Sequence, residues 1–491
     1  MSIIARQGIK YSIIGYLGFF LGTFSAIFIF PYDMAFYGKL QYILPSAEML
    51  LPIVVFGISF SNVKFYPQAQ AAGKTHNFLS LSLLAVGLNF IVFLVLFYLF
   101  FHFFPQYRLS QLYQMKEIVL PLIFILALSA VFNKYISNFK RIAVSNIFEN
   151  LFPKIANLSA FSLFVFLGYT QQWSYVLFLV VFALALGGYF FYTNRLEKIK
   201  WDFSLEYIKK NRLYATVITY SLFGFLGNIG NYIAFRVDKF MIGEFLSFEE
   251  NGIYSIMLSV LSFVMIPQMG LFNISAPLIN KCITEDNLRD LDKLHKKTSL
   301  SLFFVGAILF SCILVGFPYL TDYIKNGDQL KIASPVIWIL GSAMIFDLAT
   351  GFNGHIISLS KYYRFTIVVM LFLAITTILL NYFFLTYTTW GLYGIATATT
   401  ISLTLFNIVK LAFNYLKFKV FPFTIEMVYA SVVCTLGITV SILLPESTQA
   451  WINLFYKPLV VIIIIGIGNH YMRIIDIERY LTLSFVKSLF K

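Results

Sequence analysis

Any chemistry in this chain must come from a few polar residues set in long apolar runs. In the stretch 213–242, Asn228, Asn231, Phe235 and Asp238 fall within about 80° of one another at about 100° per helical residue, so they mark one mainly polar stripe. Arg236 and Lys239 lie beside it. Two cations next to one carboxylate suit attraction of an anionic group such as a diphosphate, with Asp238 setting the local charge or exchanging a proton. The alternative is a cluster at the outer boundary of the segment that reaches to water.

Glu48, between Pro45 and Pro52, is a second candidate, because a proline-interrupted backbone can admit water; a tolerated interface charge is the competing reading. Asp33, with Lys39, stands at the end of the preceding apolar run and extends the same rim or belongs to a loop. Lys154 and Asp347 are the other charges near apolar runs, and Asp347 shares its segment with Asn353 and His355 as a lower-ranked polar patch. Pro267 and Pro277 mirror the prolines near Glu48 and are candidate bending points.

Other motifs are decoys. Gly73-Lys74-Thr75 ends like a phosphate-binding loop, yet Gln68 stands where the first glycine is needed and no strand precedes it. Asp290 and Asp292 share a short stretch with the stripe Leu288, Leu291 and Leu294, with Glu285 and Asp286 before it and Lys296 and Lys297 after it; an amphipathic helix is the expectation. Cys282, Cys312 and Cys434 are far apart, and the five histidines share no helical ligand spacing, so no metal centre or disulfide is expected.

The elements that carry these residues follow from composition. Of 491 residues 59% are hydrophobic and 12% charged, against roughly a quarter charged in soluble domains. At roughly 20 residues per span there is room for about fourteen transmembrane helices. The expected spans are 9–30, 42–63, 78–104, 118–133, 146–168, 173–193, 213–242, 252–276, 299–317, 334–357, 365–385, 390–409, 424–444 and 453–471. The first ends without a small-residue cleavage pattern and is expected to be retained as a span. Helices are required, since an open strand in lipid leaves its backbone unsatisfied.

Charge bias tests this partition. Of 36 lysines and arginines, 27 fall on the side that holds both termini and eight on the other, with Lys154 unassigned. That places both termini in the cytoplasm and makes the net charge of +14 mainly topology, not a nucleic-acid footprint. Outward loops are too short for a catalytic domain, so no enzyme is expected.

The chain also repeats. Ile9-Lys-Tyr-Ser-Ile-Ile-Gly-Tyr-Leu-Gly18 recurs as Ile218-Thr-Tyr-Ser-Leu-Phe-Gly-Phe-Leu-Gly227, and Gly38, Pro52 and Gly57 pair with Gly252, Pro267 and Gly270. The expected organisation is a six-helix lobe over 1–193, a basic cytoplasmic linker over 194–212, a second six-helix lobe over 213–410, and two additional helices with a basic tail over 411–491. An even number of helices per copy makes the repeats parallel. The linker's basic residues among Trp201, Phe203, Tyr207 and Ile208 suit anchoring at anionic lipid headgroups.

These residues resemble a known superfamily. Gly8-Ile-Lys-Tyr-Ser, Phe30-Pro-Tyr, Tyr37-Gly38, the run Arg236-Val-Asp-Lys-Phe-Met-Ile-Gly-Glu-Phe245, Gly252-Ile-Tyr254 and Trp390-Gly-Leu-Tyr-Gly-Ile-Ala-Thr-Ala-Thr-Thr400 look like the multidrug/oligosaccharidyl-lipid/polysaccharide transporters, and within them the O-antigen-type flippases. The peptidoglycan-precursor branch is less similar, since Ser61-Asn-Val-Lys-Phe-Tyr-Pro67 stands where that branch usually shows a Pro-Asn-Leu-Arg-Arg-like segment after its second helix.

The resemblance implies a V-shaped, two-lobed carrier in the bacterial cytoplasmic membrane that passes an undecaprenyl-diphosphate-linked oligosaccharide to the outer leaflet, with its cavity lined by the first, second, seventh and eighth helices. It implies coupling to a proton or sodium gradient and no other cofactor, with no single carboxylate identified by a motif; the residue pattern itself makes Asp238, Glu48 and Asp33 the coupling candidates. A polysaccharide polymerase and a chain-length regulator are its candidate partners. A cation-coupled drug or metabolite antiporter of the same superfamily is the alternative.

Overall fold

A computed structural model describes residues 3–475; the last part of the expected basic tail, 476–491, lies outside the described residues. All fourteen expected segments are helical, and the described residues contain no strand. The protein is an all-α, multi-pass membrane protein. Among the described residues, ten helices are individually long and apolar enough to cross a membrane, and the second segment qualifies as a bent pair.

The remaining three segments depart from a uniform apolar helix for visible reasons. The fifth is broken by a π-helical turn, Ile147–Leu151, before Phe152–Val165, whose second residue, Pro153, has no N–H to give. The seventh, Tyr214–Phe245, is a continuous helix of 32 residues that carries Arg236, Asp238, Lys239 and Glu244. The tenth, Pro335–Thr350, is only 16 residues long and stops at Gly351 (φ +58°), where an added Cβ would strike Ser299.

The bend in the second segment is not at the prolines. Pro45 and Pro52 both lie inside Met34–Val55, and the chain turns by 48° one step later, at Phe56 (φ 45°) and Gly57 (φ 69°), before Ile58–Ala71. Gly57 is required twice over: its φ is left-handed, and a Cβ would collide with the backbone of Ser221 and Phe225 on Tyr214–Phe245. In the eighth segment, likewise, Phe248–Leu261 gives way to a 3-10 turn, Ser262–Met265, ahead of Pro267, which sits at the start of Ile266–Thr284.

The acidic stretch near residue 290 is no separate short helix. It forms the first turns of Leu288–Leu320, capped by Asn287, whose side chain accepts from the Asp290 N–H at 3.1 Å. Asp292 pairs with Lys296 at 2.7 Å and accepts from the Phe421 N–H, so its charge is used structurally.

By compactness the chain divides into Met1–Ile256 with Met370–Ile395, and Met257–Val369 with Ala396–Lys491. The first unit packs Met34–Val55 along Tyr214–Phe245 and crosses it closely with the start of Phe248–Leu261. Gly38 and Gly252, the repeat partners, meet at that crossing: a Cβ on Gly38 would hit the Phe248 carbonyl, and one on Gly252 the Met34 carbonyl. In the second unit, Leu288–Leu320 packs on Ile425–Leu443 and Ala450–Met472 through Phe304, Val315, Cys434, Val461 and Ile465.

Candidate functional site

Met34–Val55 and Tyr214–Phe245 run antiparallel, and the polar residues that face each other between them form the site. Arg236, Lys239 and Gly243 are three and four residues apart, so they share one helical face. Gln41 and Glu48 are two turns apart on the facing helix. The Arg236 guanidinium donates to the Glu48 carboxylate, and Lys239 Nζ donates to Gln41 Oε1 at 2.5 Å. Gly243 leaves room for the Tyr42 ring, whose hydroxyl donates to Glu244. Glu244 also accepts from the N–H groups of Gln111 and Leu112 at 3.0 and 2.9 Å, which ties the loop after Thr75–Phe103 to the pair.

Lys154 completes the group. Its stem lies against Gly22, where an added Cβ would sit 3.2 Å from the lysine Cε, and its charge interacts with Glu48 and Arg236. Lys239 feels Arg236, Glu48, Lys154 and Asp238 together. Counted formally, the three cations Arg236, Lys239 and Lys154 outnumber by one the two carboxylates that act on Lys239, Glu48 and Asp238.

Asp238 points elsewhere. It accepts from the Tyr254 hydroxyl and from Asn381 Nδ2, both at 2.8 Å. The stripe read along the seventh segment is thus divided by packing: Arg236 and Lys239 reach the Glu48 helix, Asp238 reaches Tyr254 and Asn381, and Asn228 (half-buried) and Asn231 (exposed) stand outside these hydrogen bonds. Asp33 caps Met34–Val55, accepting from the Phe36 N–H at 2.8 Å, and Lys39 donates to Gln171 at 2.9 Å.

The second unit holds its own polar group. Asp347 accepts from Asn407 at 2.9 Å, and Asn414 donates to the carbonyl and side-chain oxygens of Asn353 at 3.1 and 3.0 Å. Lys410 interacts with both Asp347 and His355 and lies 3.9 Å from the centre of the Phe406 ring. The sequence pattern puts Lys410 in a cytoplasmic loop, but Leu392–Phe418 continues past it and buries it. Lys457, expected in an outer loop, is also buried, inside Ala450–Met472, and donates to the Leu444 carbonyl at 2.9 Å.

Sequence reasoning missed Gln41, Tyr254 and Asn381 and gave Lys154 no role. A lysine beside a proline in an apolar run was a usable signal; the others are ordinary helix residues until packing selects them. Gly73-Lys74-Thr75 is a tether: Lys74 pairs with Asp202 at 3.1 Å, and Thr75 donates to Glu197 at 2.9 Å.

The family model for polysaccharide biosynthesis proteins matches residues 13–281, which contain the whole Glu48–Arg236–Lys239 group. The chain belongs to the polysaccharide biosynthesis protein family. No curated protein matches the sequence. Among solved structures, this family member is similar to a lipid II flippase MurJ in an inward closed conformation, with a TM-score of 0.73 at 16% identity over 95% of this chain and 99% of that one. It is also similar to an inward-facing multidrug resistance MATE family transporter of the MOP superfamily, with a TM-score of 0.60 at 12% identity over 79% and 94% of the two chains. A MOP superfamily transporter from Pyrococcus furiosus Vc1 gives 0.56 at 12% identity over 85% and 95%. At these identities the likeness is one of fold, and the fold is that of MOP-superfamily transporters.

Proposed function

We propose that the protein is a flippase that carries undecaprenyl-diphosphate-linked oligosaccharide from the inner to the outer leaflet of the bacterial cytoplasmic membrane, by alternating access, for O-antigen, capsule or exopolysaccharide synthesis. The observation that carries this reading is the gathering of Arg236, Lys239 and Lys154 around Glu48, on the second, fifth and seventh of the expected membrane segments. Charge inside a membrane protein is expensive and is retained where an ion or polar substrate needs it. A diphosphate matches that charge, and an arginine fork binds phosphate oxygens in pairs.

In this reading Arg236, Lys239 and Lys154 attract the diphosphate, Glu48 holds Arg236 in place, and the polyprenyl tail stays in lipid. Asp238 is the first candidate for coupling to a proton or sodium gradient, ahead of Glu48 and Asp33. Both termini face the cytoplasm, in keeping with the charge bias of the loops. The lobes are the repeat halves 1–193 and 213–410. Asp347, Asn353 and His355 form a separate polar group whose service is internal to the second unit. A polymerase and a chain-length regulator would take the product onward.

The test is the sidedness of lipid-linked oligosaccharide in cells depleted of the protein, read with an impermeant glycan probe on inverted and right-side-out vesicles. Accumulation on the cytoplasmic leaflet, reversed by wild type and not by Arg236→Ala, is the expected result. Unchanged sidedness would remove the flippase reading and favour the cation-coupled antiporter. That second reading is supported by the Asp238–Tyr254–Asn381 contacts, which supply a carboxylate apart from the cations.

A further inference from the structure

The first unit carries a groove of about 960 Å³, lined by apolar side chains from Thr75–Phe103, Lys116–Ser137 and Gln171–Leu196. All three helices are long and apolar enough to cross a membrane, so the groove opens at the depth of hydrocarbon. Gly87 and Gly187 lie in its wall, and an added Cβ at either would meet nothing within 4 Å. Trp201 and Phe203 of the linker bound one end, their rings stacked 6.1 Å apart and 6° from parallel.

At that end the chemistry changes from apolar to cationic. Arg195, Lys198 and Lys200 are exposed on the chain that leads into Trp201. The neighbouring acids are already engaged: Glu197 accepts from Thr75 at 2.9 Å and Tyr135 at 2.7 Å, and Asp202 pairs with Lys74. An apolar trough that ends in an aromatic pair and exposed lysines matches an amphiphile with an acyl chain and an anionic head.

We propose that this groove is the seat of a resident anionic glycerophospholipid, its acyl chains lying past Gly87 and Gly187 and its phosphate held by Lys198 and Lys200. The occupant differs from the lipid-linked oligosaccharide. Arg236 and Lys239, which suit a diphosphate, stand on Tyr214–Phe245, a helix that contributes nothing to the groove lining.

The test uses the full-length protein, purified in mild detergent, stripped of lipid and titrated with phosphatidylglycerol or phosphatidylcholine, with bound lipid counted by native mass spectrometry. Wild type should bind one phosphatidylglycerol about tenfold more tightly than phosphatidylcholine, since two surface lysines attract the anionic headgroup. Lys198→Gln with Lys200→Gln should erase that preference, and Gly87→Leu with Gly187→Leu should remove binding of both lipids. The glycine positions open into space and leucine favours helix, so thermal unfolding of the lipid-free variant should match wild type. Should that variant lose its fold, Trp201→Ala with Phe203→Ala reads the same groove, since both rings are about half exposed. Equal affinity of wild type for the two lipids, retention by the filled groove, or a polyprenyl lipid in place of the phospholipid on unstripped protein would overturn the proposal.

Discussion

Arg236 and Glu48 are joined across two antiparallel helices although they lie 188 residues apart, and the pair stays partly open, with 39% of the arginine side chain and 20% of the glutamate side chain exposed. The Glu48 carboxylate and the Phe235 carbonyl do not use all five guanidinium donors, so N–H groups remain for an anionic oxygen. Glu48 therefore positions Arg236 without consuming it.

Arg236→Ala is expected to lower transport at least about tenfold while membrane expression is kept, because a partly exposed ion pair is worth only about 1 kcal/mol to the fold. Arg236→Lys should retain part of the activity, having charge without the planar fork. Vesicle sidedness measured for the two variants checks this; normal transport by the alanine variant removes Arg236 from the site.

Asp238→Asn keeps the size of the side chain but removes the carboxylate: its one oxygen can accept from Asn381, and its amide N–H then faces the Tyr254 hydroxyl, which can accept. Transport by this variant should show a pH dependence different from that of wild type, as loss of a proton-exchanging carboxylate requires. An unchanged profile would make Asp238 a structural counter-ion.

Gly57→Ala should cost about 3 kcal/mol, since it combines a left-handed φ of 69° with a collision against the backbone of Ser221 and Phe225. Gly73→Ala is the control: its φ is 63°, but nothing lies within 4 Å of the added Cβ, and about 1 kcal/mol is expected. Thermal unfolding in detergent compares them, and equal losses would refute the close helix approach as the cause.

The linker tether should respond to acid. The Asp202 carboxyl is held below the usual carboxylate range, first by the Ser204 backbone N–H and then by Lys74. A carboxyl whose pKa is lower in the folded protein adds stability in full above its unfolded value of about 4 and loses it as pH falls through the folded value. Limited proteolysis within 194–212 should therefore accelerate from pH 7 to about pH 3, and Lys74→Ala should shrink that difference. Both side chains are substantially exposed, so the effect is local.

Much of this protein is legible in one dimension. Fourteen helical segments, the preference of Lys and Arg for one side and the repeat of Tyr11-Ser12 at Tyr220-Ser221 follow from hydropathy and spacing, because lipid forces every apolar run to satisfy its own backbone. Arg236, Lys239, Glu48 and Asp238 were conspicuous for the same reason: a charge in such a run is costly enough to need a cause. Which charge meets which was decided only in three dimensions. Periodicity places residues on a face of one helix but carries nothing about the neighbour that face will meet, so Lys154 and Gln41 join Arg236 and Lys239 while Asp238 turns to Asn381. Packing likewise moved the bend from Pro45 and Pro52 to Phe56 and Gly57, where a helix approaching within backbone contact leaves no room for a side chain.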